Sequence, residues 1–228
     1  MAVDPYFIAG ALSILLAGGT LAWRGRSAPP LPSLAPAVLA ELQATGAAFT
    51  VGERAAPVSV ATLSDYECEG CALAHARLWP RLREHVRRGE VRYTVYETPL
   101  PRHHAGREAA VAAGCVASLS RETFWAYHQA LFTGQAAWQA ASDRRAALIG
   151  LAARGGADSL AVRRCMEGEG EERARRVERG WAAVKAGGVD FVPLWMVEGT
   201  PVPPARLEDE ILAALRRRGH LAARVEAR

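Results

Sequence analysis

The chain has 228 residues, of which 50% are hydrophobic, 23% charged and 7% aromatic, and its formal net charge is +4. This length suits a domain with a substantial core, and the composition excludes a disordered or collagen-like chain. The positive charge comes almost wholly from arginine, since Lys185 is the only lysine. Because no arginine run is interleaved with aromatic residues, we expect no nucleic-acid partner. Four cysteines are too few for a disulfide-built miniprotein.

Residues 1–26 are predicted to be a membrane anchor or signal. The uncharged stretch Tyr6–Trp23 would span about 27 Å as a helix, close to the hydrocarbon core of a bilayer. Asp4 precedes it in place of the positive charge that opens a signal peptide, and no convincing cleavage site follows. We therefore favour an uncleaved transmembrane helix over a cleaved signal or a buried globular helix.

Two features of the sequence favour opposite orientations of this anchor. Arg24 and Arg26 come directly after the uncharged stretch, and the positive-inside rule would keep the rest of the chain in the cytoplasm. The cysteine chemistry described below favours an oxidising compartment. We expect the soluble domain to be extracytoplasmic, in the periplasm or on the outer face, with the cytoplasmic orientation as the alternative. Residues 27–48 are rich in proline and are predicted to be an extended linker.

The remaining sequence predicts an α/β unit interrupted by helices. Residues 102–186 are nearly all helix-forming, whereas β-branched residues in alternation occur before and after them. We therefore divide the chain into a first α/β part at 49–101, a helical insertion at 102–186 and a second α/β part at 187–228. The predicted strands are Pro57–Leu63, Val91–Thr98 and Phe191–Val197, and the predicted α/β helices are Ala72–Val86, with a kink at Pro80, and Leu207–Arg217.

Cys68 and Cys71 are three positions apart, where the first strand gives way to a helix. Backbone N–H groups at a helix start stabilise a thiolate on the first cysteine and lower its pKa. The second cysteine, one turn later, can close a disulfide or resolve a mixed disulfide. The alternatives are two core cysteines, or half of a zinc site with His75 as the nearest further ligand. We favour a redox dithiol without a metal or other cofactor.

The other two cysteines, Cys115 and Cys165, both fall in the helical insertion, 50 positions apart. They either form a disulfide that clamps two helices or remain two buried free thiols. His103 and His104 are interpreted as exposed loop residues, His75 as a packing residue, and His128 as a hydrogen-bonded core residue.

A further feature of the second α/β part is Pro193 at the head of an apolar strand. A proline is tolerated at the first position of a strand, and a cis Val192–Pro193 bond would leave a backbone edge free near the thiols. Val192 and Pro193 are therefore candidate substrate-binding residues.

Together these features resemble the DsbA-like thioredoxin family, including its membrane-tethered members. The similarity covers roughly residues 51–215. It is carried by four segments, which are Ala56–Val58 with Ser64–Cys68 and Cys71, Pro99–Ala105, Phe124–Phe132, and Gly188–Gly199. The resemblance implies a thioredoxin fold with a helical insertion, Cys68 as the nucleophile, Cys71 as the resolving thiol and Pro193 as the cis-proline.

The sequence departs from the family at the site itself. Glu69 and Gly70 stand between the cysteines, where the family usually has proline and an aromatic residue or histidine. Asp65, Glu67 and Glu69 are expected to crowd negative charge around Cys68 and to disfavour its thiolate. The disulfide should then be less oxidising than in family members with histidine between the cysteines.

The function that we expect is a membrane-anchored thiol–disulfide oxidoreductase. It would oxidise the thiols of exported proteins through a Cys68–Cys71 disulfide, and a membrane redox partner would reoxidise it. One alternative is a reductase or isomerase of the same fold. The other is a thioredoxin-like binding module whose cysteines are structural or bind zinc.

Overall fold

The computed structural model describes residues 31–220, and these residues fold around one mixed β-sheet. The strand order is β1-β3-β2-β4-β5; β2 and β3 are parallel, and the other neighbours are antiparallel. The strands are β1 Ala48–Val51, β2 Val58–Ser64, β3 Val91–Glu97, β4 Leu194–Val197 and β5 Thr200–Val202.

Nine α-helices are described, and six of them lie between β3 and β4. A 3-10 turn at Pro204–Arg206 precedes the last helix. The helices are α1 Pro36–Ala44, α2 Glu69–Arg87, α3 His104–Leu119, α4 Arg121–Thr133, α5 Gln135–Gln139, α6 Arg144–Arg154, α7 Ser159–Gly168, α8 Gly170–Ala186 and α9 Leu207–Arg217.

The central strands are buried on both faces, and their alternation separates two layers of the core. On β2, Val58 and Val60 join the larger cluster with α2 and α4, whereas Leu63 points to the other face. On β4, Trp195 and Met196 divide in the same way. Successive side chains of a strand point to opposite faces of the sheet, and here both sets are apolar. This is the pattern of a central strand that is covered by helices on each face.

The structure agrees with most predicted element positions and differs at the start of the last strand. β4 begins at Leu194, because Pro193 has no N–H to donate to the sheet and its peptide bond with Val192 is cis. α2 runs without interruption through Pro80.

The stretch 27–48, interpreted as a linker, contains helix α1. Its Leu42 is 1% exposed and packs over Gly180 of α8, where an added Cβ would lie 3.3 Å from the leucine. Gly187 similarly lies under Leu34. α1 therefore adds to the second core layer, because Gly180 of α8 and Gly187, the C-cap of α8, allow this segment to approach closely.

The predicted membrane span Tyr6–Trp23 lies outside the described residues. Across residues 31–220, no helix has both the length and the hydropathy that crossing a bilayer requires.

Candidate active site

The two cysteines lie where β2 leads into α2. Cys68 is the N-cap of α2, and its sulfur accepts a hydrogen bond from the Cys71 N–H at 3.3 Å. Both side chains are free thiols; Cys71 is 2% exposed, whereas Cys68 is only partly buried. An incoming sulfur can therefore reach Cys68 more easily than Cys71.

The surroundings separate the acidities of the two thiols. The pKa of Cys68 is lowered to about 6, first because the Cys71 thiol donates a hydrogen bond to its sulfur. The backbone N–H groups of Cys71 and Gly70 act in the same direction, against partial burial and the charge of Asp65. Burial, followed by the interaction with Cys68, raises the pKa of Cys71 far above its usual range. At neutral pH the pair therefore holds one thiolate, on Cys68, and one proton, on Cys71.

The segment before β4 lies against the first cysteine. The Val192–Pro193 peptide bond is cis, and the Cys68 sulfur lies 3.8 Å from the Val192 carbonyl oxygen, to which it can donate only when it is protonated. A Cβ added to Gly70 would lie 3.7 Å from the Cys68 sulfur and 3.8 Å from Cδ of Pro193. The structure thus brings together Cys68, Cys71, Val192 and Pro193.

The three carboxylates expected to crowd Cys68 point in different directions. Glu67 accepts a hydrogen bond from the Gly106 N–H at 2.7 Å, at the start of α3, and Glu69 is exposed in the first turn of α2. Of the three, Asp65 is the one whose charge raises the pKa of Cys68. The helix start and the Cys71 thiol outweigh this effect, so the net shift of Cys68 is downward.

Asp65 is 2% exposed and is held in place by loop residues. It accepts hydrogen bonds from the N–H of Leu100 at 3.0 Å and from Nδ1 of His103 at 2.5 Å. Burial raises the pKa of Asp65, and these hydrogen bonds partly offset the increase. An added Cβ on Gly106 would lie 2.2 Å from the carboxylate, so a glycine is required there. His103, expected to be an exposed loop residue, is instead half-buried, whereas His104 is exposed.

A second buried polar network lies beneath the site. The Tyr66 hydroxyl donates to Glu97, and Nδ1 of His128 donates to the Tyr66 oxygen at 2.7 Å. Burial raises the pKa of Glu97 and lowers that of His128. His128 is thus hydrogen-bonded in the core, as predicted. The roles of Tyr66 and Glu97 were not predicted from the sequence. The available signal was that both are polar residues near the ends of buried strands.

His75 belongs to the aromatic core around this network. Its ring stacks on Trp79 with centroids 5.6 Å apart and lies 5.0 Å from the ring of His128. Burial lowers its pKa to about 4, so it packs as a neutral ring. Within residues 31–220, no group of three or more His, Cys, Asp or Glu side chains is arranged to bind a metal.

The remaining two cysteines lie apart from this site. A disulfide joins Cys115 of α3 to Cys165 of α7, with an S–S distance of 2.08 Å and a Cα–Cα distance of 5.8 Å. The bond crosses the interior of the helical insertion, and Cys115 is fully buried.

Comparison with known families gives one match that extends over most of the sequence. Residues 44–216 match the thioredoxin family. The chain belongs to this family. The match includes the dithiol, the helical insertion and the cis-proline segment, and the DsbA-like resemblance inferred from the sequence is confirmed. Family membership together with the Cys68–Cys71 geometry makes the protein a thiol–disulfide oxidoreductase.

Solved structures of the same fold include three bacterial proteins. MdbA of Actinomyces oris, a thiol-disulfide oxidoreductase, is 17% identical, with a TM-score of 0.61 over 71% of this chain and 80% of that one. BdbD of Bacillus subtilis is 19% identical, with a TM-score of 0.59 over 73% and 92%. DsbA of Mycobacterium tuberculosis is 21% identical, with a TM-score of 0.58 over 74% and 92%. No curated protein sequence matches the chain significantly.

Proposed function

We propose that the protein is a membrane-anchored, extracytoplasmic oxidase of protein thiols, and that Cys68 is its nucleophile. The observation that carries the direction of the reaction is the position of the Cys68 sulfur at the start of α2, where it accepts a hydrogen bond from the Cys71 N–H at 3.3 Å and its pKa is lowered to about 6. Stabilising the thiolate at neutral pH stabilises the reduced protein relative to its disulfide, which makes the disulfide a stronger oxidant.

The reaction balances as two displacements at sulfur. A substrate thiolate attacks Cys68 in the Cys68–Cys71 disulfide; the bond between the cysteines breaks, and Cys71 leaves as a thiolate that takes up a proton. The second substrate thiolate then attacks the substrate sulfur of the mixed disulfide, and Cys68 leaves as a thiolate. The substrate dithiol loses two electrons, and the protein disulfide gains them.

The roles of Val192 and Pro193 in this scheme concern substrate binding. Val192 has no backbone–backbone hydrogen bond to the described residues, and its carbonyl faces the Cys68 sulfur. An extended substrate segment can pair with this free edge through its main chain, which would make recognition tolerant of sequence. A membrane redox partner would accept the electrons and restore the disulfide.

A redox titration of the full chain in glutathione buffers tests the direction. Each cysteine is read by alkylation and mass spectrometry. We expect the Cys68–Cys71 couple to lie above the cytosolic glutathione poise of about −220 to −260 mV. The Cys115–Cys165 pair in the same sample serves as an internal control and should stay oxidised. A couple well below the glutathione poise would refute the oxidase and favour the reductase. Cysteines that react only after chelation would favour the zinc-binding module.

Two variants test which carboxylate controls Cys68. Asp65→Asn removes the charge that opposes the thiolate, so we expect the pKa of Cys68 to fall below that of the wild type. Glu69→His removes a negative charge beside the helix start and adds a partly protonated imidazole, so it should raise the reduction potential. The increase should be small, because the side chain at position 69 is exposed and its charge is screened by solvent. Thiolate absorbance against pH measures the first variant, and the glutathione titration measures the second. An unchanged pKa in Asp65→Asn would contradict the assignment of Asp65.

A further inference from the structure

A cavity of about 380 Å³ opens at the β1 edge of the sheet. It lies away from the thiols, because Arg92 in its wall is paired with Ser59 near the start of β2, whereas Cys68 follows the end of that strand. Four arginines contribute to the lining, and no aspartate or glutamate of the described residues does. The lining arginines are Arg54, Arg92, Arg121 and Arg173.

Three of these guanidinium groups have no partner within residues 31–220. Arg54, Arg92 and Arg121 are exposed, and their side chains make no hydrogen bond or ion pair with any described residue. Uncompensated positive charges around one concave surface repel each other and produce a positive potential that attracts an anion. The cavity is therefore electrostatically complementary to a negatively charged ligand.

Arg173 adds a donor that is buried and unsatisfied. Its Nη1 donates to the Gly114 carbonyl oxygen at 3.1 Å, and its Nη2 donates to Glu169 at 2.7 Å, so the side chain is fixed in the wall. Its Nε–H is buried and has no acceptor. A buried donor without a partner is unfavourable, and an oxyanion at this wall would satisfy it.

A groove on the helical insertion differs from this cavity in how its arginines are paired. That groove is also lined by arginines, but Arg107 pairs with Glu178 at 2.7 Å and Arg145 with Glu108 at 3.7 Å. Its positive charges are compensated by acidic partners within the protein. At the β1 edge, Arg173 has such a partner in Glu169, whereas the guanidinium groups of Arg54, Arg92 and Arg121 pair with no described acidic residue.

The remaining wall of the cavity is aromatic. Phe49 of β1 packs on Phe124 of α4 with ring centroids 4.2 Å apart, and the half-buried Trp125 lies beside them. Arg121, the first residue of α4, lines the same cavity. Guanidinium groups that face one cavity are suited to bidentate contacts with phosphate oxygens.

We propose that the β1-edge cavity binds a small ligand that carries phosphate or a comparable multiply charged oxyanion through Arg54, Arg92, Arg121 and the Nε–H of Arg173. The site is separate from the dithiol. Ligand binding should therefore stabilise the fold without occupying the thiol-exchange centre.

Calorimetric titration of the full chain with inorganic pyrophosphate, in a chloride buffer of low ionic strength, tests this proposal. We expect saturable binding and a higher melting temperature. The double variant Arg92→Gln/Arg121→Gln should weaken binding by about tenfold or more, because charged hydrogen bonds are lost. The matched control Arg163→Gln/Arg164→Gln removes the same charge from exposed positions on α7 and should bind like the wild type. Both variants should retain thiol exchange, which also shows that they fold.

A second titration identifies the source of the phosphate. Glycerophosphoglycerol, the soluble headgroup of an anionic lipid, is compared with pyrophosphate on the same variants. Arginine-dependent binding of the headgroup would assign the site to a lipid, and binding of pyrophosphate alone would assign it to a free phosphate compound. The proposal is overturned if neither probe binds, or if the two double variants weaken binding equally.

Discussion

The disulfide between Cys115 and Cys165 should contribute much of the stability of the helical insertion. It closes a loop with a sequence separation of 50. In the chain-entropy model, a loop of this length gives about 4 kcal/mol of stabilisation. For a domain of this size, 1 kcal/mol corresponds to about 2–4 °C in melting temperature, so the expected loss on reduction is about 8–16 °C.

The cleanest assay compares one chain in two redox states. The Cys68→Ser/Cys71→Ser background leaves a single disulfide, and urea unfolding is measured with that bond oxidised and then reduced. This comparison leaves no cavity, whereas replacing the fully buried Cys115 with alanine adds a packing loss. A difference in unfolding free energy below about 1 kcal/mol would refute the reasoning, since it would mean that the bond scarcely restricts the unfolded chain.

Two further predictions concern the buried network. Tyr66→Phe leaves Glu97 and Nδ1 of His128 without their partner and should lower the free energy of unfolding in urea by about 2–5 kcal/mol. The control Tyr127→Phe loses one hydrogen bond to a carbonyl and should lower it by about 1 kcal/mol. Equal losses in the two variants would contradict the network. The pKa of His75 is about 4 in the folded protein and near 6.5 in the unfolded chain. Between these values only the unfolded chain binds the proton, so the contribution of His75 to stability falls as the pH drops, by up to about 1.4 kcal/mol per pH unit. His75→Phe should remove this slope from the pH dependence of unfolding; an unchanged slope would show that the folded ring is protonated.

The dithiol and the core strands could be predicted because their signals are local. Alternating β-branched residues define β2 and β3, and Cys68 and Cys71 sit directly at the transition from strand to helix. The position of Cys68 at the start of a helix also predicted that its pKa is lowered. Sequence spacing alone could not show that the largest effect comes from the Cys71 thiol, since this depends on the orientation of two side chains.

The elements missed at the amino-terminal side depend on distant contacts. β1 has only four residues, each half-buried, and it exists because it pairs with β3. α1 is largely apolar but has no strongly amphipathic pattern, and its packing depends on Gly180 of α8 and on Gly187 just after it, about 140 positions later. Prolines before it favoured an extended linker, and tertiary packing overrode that local preference.

The carboxylates near Cys68 show that residues close together in sequence can have different electrostatic effects on the same group. Asp65, Glu67 and Glu69 occur at alternate positions, but the turn into α2 sends them to three environments. Asp65 is buried against His103, Glu67 is bound to the start of α3, and Glu69 faces solvent. Solvent screens Glu69, and a backbone N–H neutralises part of the effect of Glu67.

This arrangement explains how Cys68 can be acidic without a basic residue between the cysteines. The Cys71 thiol and the backbone N–H groups of Cys71 and Gly70 stabilise the thiolate from the helix side, and none of them requires a charged side chain at position 69 or 70. Asp65 opposes them, but its carboxylate is hydrogen-bonded to His103 and to the Leu100 N–H. The acidity of the nucleophile therefore depends on the strand–helix junction and on the loop after β3, and changes in that loop should tune the redox potential without touching either cysteine.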